Sequence, residues 1–142
     1  PRRSVENRLW EQAMVSQRVR KVRLAHRFRQ EQRWMREYDT QGDPLGWRYQ
    51  NRFRYMGKAT VPVKGKWFAA FYNEIFFNIA PNKGPRTFDE NRAYAALGRR
   101  VGRSNSFEIG YLYQLVAQRN GVVNEHNHTL QFAWFSRTPF AR

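Results

Sequence analysis

The chain contains no cysteine. Disulfides and cysteine-ligated metals are excluded, and the redox compartment stays open. No apolar run approaches the ~20 residues that a membrane-spanning helix requires. No signal-peptide pattern is visible, and the first residue is Pro1 rather than Met, so a processed or truncated start is expected. Acidic residues are scarce, 11 against 26 Lys+Arg, which leaves a formal charge of +15. Lysine is scarce too, at 5 of those 26. Arginine therefore dominates, and its planar fork suits paired hydrogen bonds to carboxylates or phosphates.

Catalytic and metal signatures are also missing. No Ser-His-Asp arrangement, HExxH, P-loop or Gly-rich fingerprint occurs. His126 and His128 share a strand face beside Glu125, but no third and fourth ligand stands near them, so a loop or interfacial role is expected. Nothing fixes the spacing of Glu31, Glu74, Glu90 and Glu108 as a glycosidase-type pair. The expectation is a protein with no catalytic residues, no metal site and no cofactor, and not an enzyme.

Aromatics are what the chain has in excess: 16%, with 5 Trp, 7 Tyr and 11 Phe. That is too much apolar bulk for a disordered basic chain. From 22 to 38, Val22, Leu24, Phe28, Trp34 and Tyr38 fall on one face, and Arg23, Arg27, Arg29, Glu31, Arg33 and Glu37 on the other. From 47 to 59, Trp47, Tyr49, Phe53, Tyr55 and Ala59 alternate with Arg48, Gln50, Arg52, Arg54 and Lys58. Period two belongs to β-strands. The segment between them is rich in Gly, Pro and Asp, so the two arms form a long hairpin.

The same alternation continues. Strands are expected over 4–16, 67–79, 90–101, 107–116 and 126–135. With the two hairpin arms this makes seven, and no segment has helical periodicity. Short turns are expected at 17–20, 61–66 and 102–106, with Pro62 ending a strand. Longer loops are expected at 39–46, 80–89 and 119–125, the last around Asn120-Gly121, a hairpin signal. Short turns on one rim and longer loops on the other are the habit of outer-membrane barrels, as are aromatics near strand ends such as Trp34, Tyr38, Trp47, Tyr49 and Trp67.

The pattern predicts an all-β, antiparallel up-and-down meander: a transmembrane β-barrel, or most of one, in a single domain over 1–142. Its lipid face carries Leu24, Phe28, Phe53, Tyr55, Phe71, Ile75, Ala95, Ile109, Tyr111 and Phe132. Its lumen carries a charged ladder of Arg27, Arg29, Glu31, Arg33, Arg52, Arg54, Glu74, Glu90, Arg92 and Glu108. Charge on the lipid side is costly, at about 2–4 kcal/mol for an Arg near the midplane. A soluble basic β-domain that binds nucleic acid through arginine and aromatic stacking carries the same composition, and so does a closed barrel holding an anionic ligand.

The runs ENRLWEQ, LAHRFRQEQRW, WRYQNRFRYM, FYNEIFFN, FDENRAYAALG and EIGYLYQ resemble the DUF2490 family of bacterial proteins. The most specific parts are His26 to Arg33 and Tyr72 to Asn78. The resemblance implies an outer-membrane β-barrel of which this chain is the C-terminal part, lacking N-terminal strands. It implies no activity. The expected role is structural or that of a pore, in a Gram-negative outer membrane. The expected partners are the lipid bilayer and subunits of a membrane complex, with nucleic acid the less favoured partner.

Overall fold

The computed structural model describes residues 5–79, 88–117 and 124–137. They form seven strands: β1 (Glu6–Val19), β2 (Val22–Tyr38), β3 (Pro44–Lys64), β4 (Trp67–Ile79), β5 (Phe88–Val101), β6 (Asn105–Ala117) and β7 (Asn124–Ser136). All pair antiparallel with their sequence neighbours in one sheet, in the order β1-β2-β3-β4-β5-β6-β7. The fold is an all-β meander. The sheet is not closed: among the described residues, β1 and β7 each have one neighbour. An odd number of strands also makes β1 and β7 run in the same direction.

Several boundaries move relative to the sequence expectations. The first turn is only Arg20–Lys21, because Arg18 pairs with Arg23 and Val19 with Val22. The strand tolerates Pro62, which pairs opposite Phe68. A bulge at Val63 then lets β3 run on to Lys64, and the turn shrinks to Gly65 and Lys66. Gly65 has φ 57°, the left-handed conformation that a two-residue hairpin demands. A second bulge sits at Asp89, since Phe76 pairs with Glu90 and Phe77 with Phe88. These turns occupy one rim. The ends of Tyr38 and Pro44, of Ile79 and Phe88, and of Ala117 and Asn124 stand on the other. Most of the loops expected at 80–89 and 119–125 lies outside the described residues.

The sheet curls. Lys58 of β3 places its Nζ 5.9 Å from the ring of Phe135 in β7. Four inter-strand steps in a flat sheet would separate those strands by about 19 Å. The Arg27 and Glu74 side chains likewise meet across β3 at 2.8 Å. The concave face therefore gathers side chains, and the other face splays them apart.

Burial follows that curvature. Phe68, Ala70, Phe76, Tyr94 and Ala96 are buried, all on the concave face. Two glycines make room for rings: a Cβ at Gly98 would lie 2.3 Å from Phe68, and one at Gly110 would lie 2.4 Å from Tyr94. Tyr72 stacks on Tyr94 at 4.8 Å. The apolar core of this sheet thus shares a face with its charges.

Candidate functional site

Strand alternation carries the site to the concave face. On β2 the positions 27, 29, 31 and 33 point one way; on β3 they are matched by 50, 52 and 54. Register sets Glu31 opposite Arg52 and Arg29 opposite Arg54, so the Glu31 carboxylate meets Arg52 directly and Arg54 on the diagonal.

Glu31 is the centre, with no exposed surface. Its Oε2 accepts from Arg52 Nη2 at 2.7 Å and Nε at 3.1 Å. Its Oε1 accepts from Arg54 Nη1 at 2.7 Å. Arg54 continues to Glu74, donating Nη2 at 2.8 Å and Nε at 3.1 Å to the same Oε1. Arg27 completes that carboxylate from the far side of β3 at 2.8 Å. Glu90 accepts from Arg92 and from Gln114. Arg33 donates Nε to Glu6 at 2.7 Å and Nη1 to Gln50 at 3.0 Å, and Gln50 passes on to Asn78 at 2.6 Å. Arg29 lies within 3.7 Å of Glu31 but spends its hydrogen bonds on Gln12 and stacks over Trp10 at 4.8 Å.

Phe76 sits beneath this network, and the guanidiniums of Arg54, Arg92 and Arg52 lie 4.5, 4.9 and 5.2 Å from its ring centre. The negative face of an aromatic ring attracts cations. One buried ring therefore holds three arginines in place while carboxylates neutralise them. The arrangement is an interlocked ladder crossing β1 to β6.

Nine of the ten ladder residues expected from sequence join this network. Glu108 does not: among the described residues it takes no arginine, and the Tyr94 hydroxyl donates to it at 3.3 Å instead. Glu6 and Gln50, polar residues of the same parity, join it as well. Asp89 and Phe76 also join, and the expected ladder omits them. Asp89 reaches Arg52 at 3.5 Å only through the bulge that holds it. Phe76 was hidden by being apolar.

Among the described residues no layer covers the opposite face. Phe71, Leu97, Ile109, Tyr111, Leu130, Phe132 and Trp134 are exposed, Phe132 at 72%. Trp67, Phe107 and Trp134 share one register row near the short-turn rim, with Arg99 between them. Trp34 and Tyr49 pair near the other rim, their rings 5.4 Å apart. Between these rows the polar groups satisfy one another: His26 with Tyr55 at 2.9 Å, Asn73 with Asn91 at 3.1 Å, and Tyr113 with His126 at 2.5 Å. Among the described residues no group of His, Asp and Glu is arranged to hold a metal ion.

The class that fold and site define is a curled antiparallel meander with a charged ladder inside and an aromatic surface outside. The chain belongs to the family described as Protein of unknown function (DUF2490), whose model matches residues 1–127. No curated protein and no solved structure matches it.

Proposed function

We propose that this chain forms the wall of a bacterial outer-membrane β-barrel, with a structural role and an arginine-rich interior. The observation that carries the reading is the outward face. Exposed large apolar side chains run across it on all seven strands, from Leu9 and Val15 on β1 to Leu130, Phe132 and Trp134 on β7. A water-exposed patch usually stops at a few hundred Å2. Lipid contact removes the cost. Aromatic rows near both rims fit the headgroup levels of a bilayer. Strands of 13 to 21 residues exceed the roughly 9–11 that a crossing needs.

A sheet edge inside a bilayer leaves backbone groups without partners, so barrel closure pairs β1 and β7 either with each other or with further strands. An all-antiparallel closure requires an odd number of them, because β1 and β7 run in the same direction.

The interior side supports a structural role over conduction. Its arginines are bound to carboxylates and stacked on Phe76 rather than presented to a channel. The competing reading, a soluble domain binding nucleic acid through those arginines, requires the same bonds to break first.

The test is detergent extraction and gel mobility. A barrel partitions into detergent and shifts its migration on heating. A chain that stays in the aqueous phase and shows no shift overturns the reading. Planar-bilayer recordings then separate plug from pore: a filled interior passes no current, and an open one prefers chloride to potassium.

A further inference from the structure

The short-turn rim is strongly basic. The short-turn rim holds Arg18, Arg20, Lys21 and Arg23 in the first turn region, and Lys64, Lys66, Arg99, Arg100, Arg103 and Arg137 around the others. No Asp or Glu falls in 16–23, 60–67, 98–106 or 135–137. All ten cations are exposed, and among the described residues none joins an ion pair. Among the described residues the opposite rim mixes signs, with Glu37, Asp39, Asp43 and Glu125 beside Arg36 and Arg48. The ladder's arginines are neutralised and the ten rim cations are not, so positive charge is concentrated at the short-turn end.

A second feature lies directly below. The outward face holds a shallow apolar groove of about 340 Å3, lined by Phe71, Ala95, Leu97, Ile109, Tyr111 and Leu130. Its floor exists because Ala95 stands between Phe71 and Tyr111 in one register row. Arg99 is two residues beyond Leu97 on the same strand face. It stacks on Trp67 with 5.5 Å to the ring centre, at the level of the Trp67–Phe107–Trp134 row. A hydrocarbon slot, an aromatic row and then fixed cations follow one another along the strand. That is the order of an acyl chain, a glycerol region and a phosphate.

We infer that the short-turn rim and this groove bind an anionic phospholipid, with an acyl chain along Ala95 and the headgroup phosphate on Arg99 and the adjacent turn cations. The inference rests on the barrel reading and specifies which lipid that barrel recruits. Charge complementarity selects the anionic headgroup: each basic residue near an anionic surface favours it by about fivefold. A zwitterionic headgroup gains little from an uncompensated cluster of cations. The attraction is screened by salt.

The experiment refolds the chain into vesicles of equimolar phosphatidylglycerol and phosphatidylcholine, re-extracts it in mild detergent, and measures the lipid it retains. Enrichment of phosphatidylglycerol that shrinks in high salt is expected. Arg99→Gln is expected to lower the enrichment about fivefold. Adding Arg20→Gln, Lys66→Gln and Arg103→Gln is expected to abolish it. Ala95→Trp, which fills the groove, is expected to reduce the amount of lipid retained. These turn positions are exposed, and the single Arg99 variant carries the test alone if the multiple one fails to fold. Insertion with no headgroup preference overturns the lipid site and leaves the barrel reading intact. Failure to insert into these vesicles overturns both. Equal displacement of retained lipid by inorganic phosphate marks a bare phosphate site and overturns the lipid assignment. Binding of a single-stranded oligonucleotide that Arg99→Gln removes, with no lipid preference, reassigns the rim to nucleic acid.

Discussion

The two faces of the same seven strands are built by opposite rules. On the concave face, bulky groups and charges crowd together, and Glu31, Glu74 and Phe76 lose nearly all their exposure. On the convex face, residues of the opposite parity stay open: Phe71 and Phe132 are 49% and 72% exposed. Curvature makes the difference, because a curled sheet converges its side chains on one side and separates them on the other. Hydrophobicity alone would have placed the charges outside. Here the charges lie on the concave face because arginine and glutamate satisfy each other there, and the convex face carries the exposed apolar side chains.

The comparison breaks most sharply at its centre. Glu31→Ala leaves Arg52 and Arg54 with one carboxylate fewer inside the ladder. Removing one partner of a buried pair costs about 3–5 kcal/mol. Denaturant unfolding in detergent micelles, followed by tryptophan fluorescence, measures the loss. A change below about 1 kcal/mol means that water penetrates the ladder and replaces the missing acceptor.

A charge moved to the other face sharpens the contrast. Phe71→Arg is expected to cost about 2–4 kcal/mol in a bilayer, because an arginine there meets hydrocarbon. The same substitution at a face exposed to water costs almost nothing. Comparing unfolding in lipid vesicles with that of a soluble preparation distinguishes the two media directly.

Packing on the concave side provides a third probe, one without charge. Gly98→Ala drives a Cβ to 2.3 Å from the Phe68 ring, so ring or strand must move. Overpacking of this kind costs about 1–3 kcal/mol. An unchanged midpoint in thermal unfolding indicates that Phe68 is not seated on Gly98.

The smallest effect is expected at the ladder's edge. Arg8 pairs with Glu6 at 2.8 Å, but its side chain is 40% exposed. Exposed pairs contribute about 0–1 kcal/mol. Arg8→Ala should therefore leave stability within that range, against several times more at Glu31. Equal losses at the two positions indicate that β1 is more enclosed than it stands among the described strands.

Strand identity was legible residue by residue. The alternation of Arg27, Arg29 and Glu31 with His26, Phe28 and Gln30 has period two, and no helix places such residues on separate faces. Gly65 and Gly102 marked turns, and the bounds of Trp67–Ile79 were read correctly from its aromatic run. Antiparallel order between neighbours followed from short connections. These are local properties: each depends on side-chain spacing and backbone freedom within a few residues. The partnerships were not legible. Arg27 finds Glu74 by crossing a strand, Lys58 approaches Phe135 across three, and Asp89 enters the network only because a bulge holds it. Glu108 was expected beside an arginine and meets Tyr94. Such contacts depend on register and curvature, which accumulate small twists and bulges over the whole sheet. No window of the chain contains that sum, so the tertiary structure alone decided which arginine each glutamate holds.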